Sequence, residues 1–381
     1  MIAVTDRTRI EYDWRCPRMR YWLTEHGGTG VVPATPHHAL SFGLVVHDGL
    51  YWLGKEGLDK AIDVAVNHEE YARLSDNRQQ AALGLLYGFA TRVWPDWMEQ
   101  YDVVALEQEL EFEEDGVLFM CRPDVLLRSK SDGTLWYPDF KTFARWSNRK
   151  WNYALQQQLS LLAIERSVGE KIAGAWIQGL YKGTERSGNL YHPLVNAYRR
   201  PENPGVSPAV YSPGRKAGFE RFNIASAYPG GQEAWARQLG QEEIAKCFPR
   251  TVPFFRNERM LNAFLAQRTQ REAQIKVVSK NIRSGSYDEQ RVELNSYFPQ
   301  HFAECETAYS SCPYLDACWV PSVNSDPVGS GLFVPRTPHH EAEVEIWKKQ
   351  EKWTRSDERS IASYLDRAEA DLDLTQQPTK Q

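Results

Sequence analysis

The stretch from Arg122 to Lys141 constrains the fold of this chain more than any other. It reads RPDVLLR, then SKSDGT, then LWYPDFKT. The first run alternates apolar and polar residues in the manner of a half-buried strand. Residues 130–133 are turn formers that end in a glycine, which supplies the positive φ that tight turns need. The sequence therefore predicts a β-hairpin.

Three ionisable residues come together on this predicted hairpin. Asp124 lies near the end of one strand, beside Asp139, and Lys141 follows two residues later on the same face. Two carboxylates can hold Mg²⁺ through oxygen ligands and leave room for a phosphate. The ammonium group can orient the attacking water or offset charge in the transition state. An isolated Asp-x-Lys is more often a solvated strand edge, so the rest of the chain decides between these interpretations.

Length and composition limit the class of protein. A chain of 381 residues can form one large domain or two ordinary ones. No apolar run has the length of a membrane span, and the N-terminus lacks a signal pattern, which predicts a cytoplasmic protein without membrane contact. The net charge of −5 argues against polyanion binding over the whole surface but permits a local basic groove.

Three of the six cysteines fall within the short segment CETAYSSCPYLDAC. Clustered cysteines in a cytoplasmic chain indicate a metal site or catalysis rather than disulfides. The clustered residues are Cys305, Cys312 and Cys318. The remaining three, Cys16, Cys121 and Cys247, are by themselves typical of ordinary buried thiols.

Periodicity predicts the main elements. Helices are expected over about 39–66, 78–93, 148–169, 231–247 and 257–283, and strands over 104–112 and 172–182. The strand over 104–112 has apolar residues on one side and glutamates on the other, of which Glu107 is the first candidate for a metal site and Glu109 the second. His47 lies on the first helix and is a packing residue unless that helix points it at the hairpin. Residues 184–232 show no clear periodicity and predict a long loop.

The order of these features resembles the RecB-like branch of the PD-(D/E)XK nucleases, in the form that carries an iron–sulfur cluster. The matching order is Cys16, GLVVH at 43–47, the acidic strand, RPD at 122–124, PDFK at 138–141, a glutamine-bearing helix and the three clustered cysteines. The resemblance implies an α/β fold with a restriction-endonuclease-like core, in which a central mixed sheet is flanked by helices. It implies a nuclease domain over 1–320, followed by a linker and a charged tail over 321–381.

The resemblance also implies roles for individual residues. By position, His47, Asp124 and Asp139 match metal ligands, Lys141 the catalytic lysine and Glu107 an additional acidic residue. Gln158, in preference to Gln157, matches the helix glutamine, although Leu162 stands where the family's Gln-x-x-x-Tyr motif has tyrosine. Cys121 stands where the family has glycine. Arg145, Arg149 and Lys150, just past the lysine, are candidate phosphate contacts.

Four cysteines match the cluster ligands of that branch: Cys16, Cys305, Cys312 and Cys318. Four thiolates are what an iron–sulfur cubane needs, and such a cluster would join the N- and C-terminal parts of the domain. The spacing is looser than in the family's tightest form. A Zn²⁺ ion remains an alternative, because it also binds four thiolates.

The function implied is that of a Mg²⁺- or Mn²⁺-dependent deoxyribonuclease, most closely an exonuclease that acts on DNA ends in recombination, repair or phage replication. Its partners would be single- or double-stranded DNA and a helicase or recombinase, and a phage origin fits the same resemblance. Two other interpretations stay open. One is a non-catalytic DNA-binding scaffold of the same fold, which would have no need of Asp124, Asp139 and Lys141 together. The other is a structure-specific endonuclease.

Overall fold

The computed structural model describes residues 3–35, 38–146, 155–186, 189–199, 220–284, 287–306, 311–338, 340 and 343–344. The chain divides into two compact units. The first unit consists of residues 1–11 and 33–277, and the second of residues 12–32 and 278–381. The domain predicted over 1–320 includes parts of both units and stays a prediction.

Most of the described residues lie in helices or strands. The helices are α1 (Arg7–Arg15), α2 (Pro17–Arg20), α3 (His38–Glu56), α4 (Leu58–Asn67), α5 (Asp76–Arg92), α6 (Trp94–Gln100), α7 (Leu155–Val168), α8 (Ile224–Ala227), α9 (Gly231–Gln238), α10 (Gln241–Cys247), α11 (Glu258–Ser284), α12 (Tyr287–Tyr297), α13 (Leu315–Trp319) and α14 (Pro321–Ser325). The strands are β1 (Ala3–Asp6), β2 (Val31–Pro33), β3 (Tyr101–Leu106), β4 (Leu110–Glu114), β5 (Val117–Cys121), β6 (Val125–Ser129), β7 (Leu135–Phe143), β8 (Ile172–Tyr181), β9 (Thr184–Arg186), β10 (Asn189–Tyr191), β11 (Asn196–Arg199), β12 (Glu220–Asn223) and β13 (Phe333–Pro335).

The first unit is built on two sheets. A four-stranded sheet has the order β3-β6-β7-β8, and a three-stranded sheet has the order β1-β5-β4. In the larger sheet β6 runs antiparallel to β3 and β7, whereas β7 and β8 are parallel. Strand β1 is parallel to β5, and β4 is antiparallel to it. The prediction of a mixed α/β fold is confirmed.

Helices cover both faces of the four-stranded sheet. One face packs Val125, Leu127, Phe140 and Trp176 against buried residues of α3, α4 and α5. The opposite face packs Leu126, Leu135, Tyr137 and Ala175 with leucines of α7. Alternate residues of each strand thus point into two apolar cores, which explains why the strands are apolar on both sides.

The predicted hairpin is present as β6 and β7. Leu127 pairs with Trp136 and Arg128 with Leu135, and Gly133 in the turn has a φ of 72°. Continued, this register would place Asp124 opposite Asp139. The ladder does not continue past Leu127 and Trp136, and Pro138, two positions further along β7, has no N–H to donate. The two strands separate at the position where both aspartates lie.

Two predicted elements are each divided by a residue with positive φ. The helix predicted over 39–66 is two helices, α3 and α4, because Gly57 between them has a φ of 97°. The strand predicted over 104–112 is also wrong as a single element. Glu107 has a φ of 47°, and the flanking strands β3 and β4 belong to different sheets.

The region predicted as a loop over 184–232 contains short strands in its described part. Strands β9 and β10 pair with each other, as do β11 and β12. Residues 187–188 and 200–219 lie outside the described residues. Segments of three or four residues are too short for periodicity to reveal, which is why the sequence predicted a loop.

The second unit contains α2, α12, α13 and α14. The short strand β13 pairs with β2. All four cysteines that match cluster ligands belong to this unit. Among the described residues, no helix has both the length and the apolar character needed to cross a membrane.

Candidate functional site

Three side chains from different elements of the first unit converge. His47 of α3, Glu107 after β3 and Asp124 before β6 place one ligand atom each within 4.8 Å of the others. Among the described residues this is the only group of three His, Cys, Asp or Glu side chains that meets the distance. We call it the carboxylate site. The sequence alone left open whether α3 would point His47 towards the hairpin, and it does.

Asp124 is held by the gap between the two hairpin strands. Its Oδ2 accepts a hydrogen bond of 2.6 Å from the backbone N–H of Phe140. Its Oδ1 lies 3.6 Å from Nδ1 of His47. The carboxylate thus accepts the hydrogen bond from β7 that the β6 ladder leaves unmade, and its other oxygen faces His47 of α3.

Glu107 reaches the site because its backbone turns. Its N–H donates to the carbonyl oxygen of Asp124 at 3.1 Å, and its positive φ ends β3 at this point. Its carboxylate pairs with Nε of Arg122 at 3.0 Å. A non-glycine residue with positive φ is uncommon and costs free energy, so its contacts must maintain it.

His47 and Asp124 shift each other's protonation. Burial by itself lowers the pKa of His47, but the adjacent Asp124 carboxylate outweighs it, and the pKa is raised. Burial by itself raises the pKa of Asp124, but His47, Lys141 and the Phe140 N–H bring it down to about 2. Asp124 is therefore ionised at neutral pH and available as a metal ligand.

The pKa of Glu107 shows that the carboxylate site lacks positive charge. Burial, and then repulsion from Asp124, raise the pKa of Glu107 to about 7, although Arg122 and His47 oppose the shift. Two carboxylates held close together need a positive charge to be ionised together. Two carboxylates and an imidazole are a donor set that suits a divalent cation such as Mn²⁺, and oxygen ligands also suit Mg²⁺.

Asp139 and Lys141 form a second cluster next to this site. Asp139 is 2% exposed and pairs with Nζ of Lys141. Its Oδ1 accepts a hydrogen bond of 2.9 Å from the Tyr137 hydroxyl and lies 3.7 Å from the Arg7 guanidinium. Burial, and then the charge of Asp139, raise the pKa of Tyr137 well above its ordinary value, so this hydroxyl stays protonated and donates. Asp139 is held by one hydrogen bond, from Tyr137, and by ion pairs with Lys141 and Arg7, and it is not part of the 4.8 Å group.

The two glutamines of α7 differ in their contacts. Gln158 donates from Nε2 to the Phe255 carbonyl at 2.9 Å and accepts from the Asn257 N–H at 3.0 Å. Gln157 is 1% exposed, and neither of its amide atoms has a hydrogen-bond partner within the described part of the chain. The assignment of Gln158 to the site stays a prediction, and its observed contacts are with residues 255–257.

The remaining predicted site residues lie outside the carboxylate site or outside the described residues. Glu109, the second choice after Glu107, is not in the 4.8 Å group. Arg145 is exposed just past β7. Arg149 and Lys150 lie outside the described residues, and their role as phosphate contacts stays a prediction.

The four cysteines of the second unit lie near one another. Burial, and then the proximity of Cys318, Cys16 and Cys305, raise the pKa of Cys312 to about 11. Several N–H groups point at the sulfur atoms: His301 N–H to Cys16 at 3.4 Å, Tyr314 N–H to Cys312 at 3.4 Å and Trp22 Nε1–H to Cys318 at 3.3 Å. We call this group the cysteine site. Cys121 and Cys247 are buried elsewhere, where burial raises the pKa of both thiols.

Sequence reasoning missed two residues at Asp139. Tyr137 precedes Asp139 by two residues on the same face of β7, so strand alternation could have revealed it. Arg7 lies at the start of α1, far away in sequence, and no local pattern indicates that it reaches Asp139.

Comparisons with known proteins do not identify the chain. No protein-family model matches it, and neither does any curated protein. Among solved structures, a proposed exonuclease from Eubacterium rectale aligns with a TM-score of 0.33 and 12% identity, over 64% of this chain and 80% of that one. A likeness this distant carries no argument about the function of the present chain.

Proposed function

We propose that this chain is a divalent-metal-dependent deoxyribonuclease. The observation that carries the proposal is the convergence of His47, Glu107 and Asp124 within 4.8 Å beside the buried Asp139–Lys141 pair. A scaffold would have no use for two ionisable clusters at the opening of a hairpin. Their composition suits phosphodiester hydrolysis, which needs a cation held by oxygen ligands and a nearby ammonium.

The residues fit Mg²⁺ or Mn²⁺. The raised pKa of Glu107, about 7, reflects a carboxylate without a sufficient counter-charge, which a dication would supply. His47, Glu107 and Asp124 would hold the ion, and Asp139 would join them on leaving its ion pairs with Lys141 and Arg7. When bound, the ion activates water and offsets charge on the phosphate.

The side chains beside the proposed metal site would orient the reacting groups and offset negative charge. The Lys141 ammonium, which also donates to the Phe140 carbonyl at 3.0 Å, lies where it can orient a water or offset negative charge on the phosphate. The Tyr137 hydroxyl holds Oδ1 of Asp139, which fixes the carboxylate that partners Lys141. The Arg7 guanidinium, partly exposed beside Asp139, is available to a substrate phosphate.

We infer an exonuclease from the sequence resemblance, acting on DNA ends together with a helicase or recombinase. The test is a cleavage assay on linear and circular DNA, single- and double-stranded, with Mg²⁺, Mn²⁺ or EDTA. Asp139→Asn is compared with Asp132→Asn, an exposed aspartate in the hairpin turn. Metal-dependent cleavage that Asp139→Asn abolishes and Asp132→Asn retains supports the nuclease, and digestion of linear DNA only supports the exonuclease. DNA binding without cleavage under any metal would contradict the nuclease and support a non-catalytic DNA-binding scaffold.

We also propose that the cysteine site holds an iron–sulfur cluster. The three N–H···S contacts described above are of the kind that stabilise and tune such clusters. A single Zn²⁺ at about 2.3 Å from each sulfur would place the sulfur atoms about 3.8 Å apart. It is the resemblance, and not the spacing of these thiols, that favours the larger iron–sulfur cluster over a single Zn²⁺.

Metal analysis of anaerobically purified protein tests this cluster. We expect iron and inorganic sulfide, with a brown colour from thiolate-to-iron absorption. Stoichiometric zinc without iron would contradict the iron–sulfur cluster and show that the cysteine site binds Zn²⁺. Full occupancy in a Cys247→Ala control shows that the bound metal depends on the cysteine site and not on cysteines in general.

A further inference from the structure

The outer surface of α3 carries an unusual stripe of side chains. Leu40, Leu44, Tyr51 and Lys55 lie within about 60° of one another around a helix of 3.6 residues per turn, and His47 borders them. We call the four residues the α3 stripe. Because His47 belongs to the carboxylate site, the α3 stripe runs along the helix past that site.

Burial on α3 shows that the α3 stripe is not part of the core. Val45, Val46, Leu50 and Leu53 on the inner side are nearly or fully buried, whereas Leu40 is 58% and Leu44 45% exposed. The core-facing side of an amphipathic helix is normally apolar and its outer side polar. Two neighbouring exposed leucines in line with an aromatic residue therefore indicate a contact surface.

The C-terminal end of the stripe combines an aromatic ring with a cation. Lys55 donates from Nζ to the Tyr51 hydroxyl at 3.1 Å and lies 5.3 Å from the centre of that ring. The same ammonium is 4.8 Å from the centre of the Trp52 ring, and Nζ of Lys60 on α4 is 5.5 Å from the centre of that ring. Lys55 is exposed and forms no ion pair with a carboxylate of the described residues. Its charge is thus available to an anionic ligand.

Spacing relates the stripe to the carboxylate site. Successive turns place Tyr51 about 6 Å and Lys55 about 12 Å beyond His47 along the helix axis, at 1.5 Å per residue. One DNA strand advances by about 3.4 Å or more per nucleotide, so these distances correspond to a few nucleotides. A strand whose phosphate reaches His47, Glu107 and Asp124 would therefore continue over Tyr51 and Lys55.

We propose that the α3 stripe binds an unpaired DNA strand next to the carboxylate site, with Tyr51 stacked on a base and Lys55 paired with a phosphate. The proposal rests on the proposed nuclease function and adds its substrate class. In a duplex the base faces are covered, whereas in a single strand they are free to stack on an aromatic ring and contact apolar side chains. Lys55 supplies charge complementary to phosphate, which an apolar protein partner would not require, whereas Lys60 is paired with Asp63 at 3.0 Å.

Binding is tested by fluorescence anisotropy with a labelled oligothymidylate of roughly 15 nucleotides, and with a duplex of the same length, in Ca²⁺. We expect Tyr51→Ala to weaken single-strand binding about 10-fold or more, since stacking contributes roughly 1–3 kcal/mol per base. Tyr51→Phe keeps the ring and should bind within about twofold of wild type. Lys55→Ala should lower the slope of log affinity against log salt by about 0.7.

Lys246→Ala is the matched control, because Lys246 is also an exposed lysine on a helix of the first unit. It should change neither the affinity nor the salt slope. Mn²⁺ affinity of each variant, measured without DNA, should equal that of the wild type, since no stripe residue is a proposed ligand. Circular dichroism shows whether Tyr51→Ala folds; if it does not, photocrosslinking of wild type to an iodouracil-substituted oligonucleotide must label the peptide that carries Tyr51.

The outcomes separate the two proposals. A wild type that cuts DNA while Tyr51→Ala and Lys55→Ala bind like Lys246→Ala overturns the stripe and leaves the nuclease intact. Equal losses for single strand and duplex overturn the assignment to an unpaired strand. A wild type that neither binds nor cuts DNA overturns the nuclease and the stripe together.

Discussion

The carboxylate site and the cysteine site are built in different ways. The carboxylate site takes His47 from a long helix, Glu107 from the end of a strand and Asp124 from a hairpin. Backbone N–H groups hold the Asp124 carboxylate and the turn at Glu107. In the cysteine site, Cys305 and Cys312 lie outside helices and strands, and α13, which carries Cys318, has five residues. Regular elements with paired polar groups can hold a site before any ligand binds, whereas loops depend more on the ligand.

This difference predicts opposite responses to metal. In the carboxylate site the ion would add to a structure that α3 and the hairpin already stabilise, so its loss should affect activity and leave folding intact. In the cysteine site the bound metal would replace the missing regular structure, so its loss should lower the stability of the second unit.

The largest expected effect is on cleavage. Asp124→Asn removes the charge that faces His47 and should lower the cleavage rate about a thousandfold, because metal-based charge stabilisation contributes several kcal/mol. Initial rates and Mn²⁺ binding by electron paramagnetic resonance measure it. Asp102→Asn, an exposed aspartate on β3, should retain the wild-type rate. A decrease of less than tenfold in Asp124→Asn would mean that this carboxylate does not hold the ion.

The next effect is on the stability of the second unit. Cys312→Ser should abolish metal binding at the cysteine site and lower the free energy of unfolding of that unit by several kcal/mol. Metal content and resistance of residues 278–338 to proteolysis measure it. Cys121→Ala, a buried cysteine in the first unit, should keep the metal and cost only about 1 kcal/mol. Unchanged protease resistance in Cys312→Ser would show that the cysteine site is as rigid without metal as the carboxylate site.

The hairpin could be predicted because its signals are local. Turn residues, alternation and the Asp-x-Lys spacing all lie within twenty residues, and β6 and β7 follow them. The turn at Glu107 could not be predicted from the sequence, because a glutamate rarely has positive φ. This one is maintained by a hydrogen bond from its N–H to the Asp124 carbonyl. The Arg7–Asp139 contact likewise depends on tertiary folding. The sequence thus indicated which residues carry the chemistry, but not which contacts orient them.

Acid should affect both units by the same mechanism. Burial lowers the pKa of His192 in the first unit to about 4, and burial lowers that of His26 in the second to about 4. Unfolded histidine titrates near 6.5, so the unfolded state binds the proton more readily between these values. The contribution of each of these two histidines to the free energy of unfolding should therefore be constant above pH 6.5 and fall by up to about 3 kcal/mol as pH drops to 4.

His192→Asn tests the acid response of the first unit. Nδ1 of His192 accepts the Leu194 N–H at 3.1 Å, and a protonated ring could not accept it. Urea unfolding from pH 8 to pH 4 should show a smaller decrease in this variant than in wild type. An unchanged decrease would assign the acid response to other groups.

The smallest effects distinguish the adjacent glutamines of α7. Gln158→Ala removes the hydrogen bonds to Phe255 and Asn257 and should lower the free energy of unfolding by about 1 kcal/mol, with cleavage unchanged within about twofold. Gln157→Met replaces a buried amide that has no partner among the described residues with an apolar side chain of similar size, so stability should hold or rise by up to about 1 kcal/mol. Denaturant unfolding and initial cleavage rates measure both.

The two readouts separate structure from chemistry at these positions. A strong loss of cleavage in Gln158→Ala with full stability would place Gln158 in the site, as the resemblance implies. A loss of stability in Gln157→Met would show that its amide is hydrogen-bonded in solution. Retained stability with reduced cleavage in Gln157→Met would assign the glutamine of the site to Gln157, because a buried amide without a partner is then used by the substrate and not by the fold.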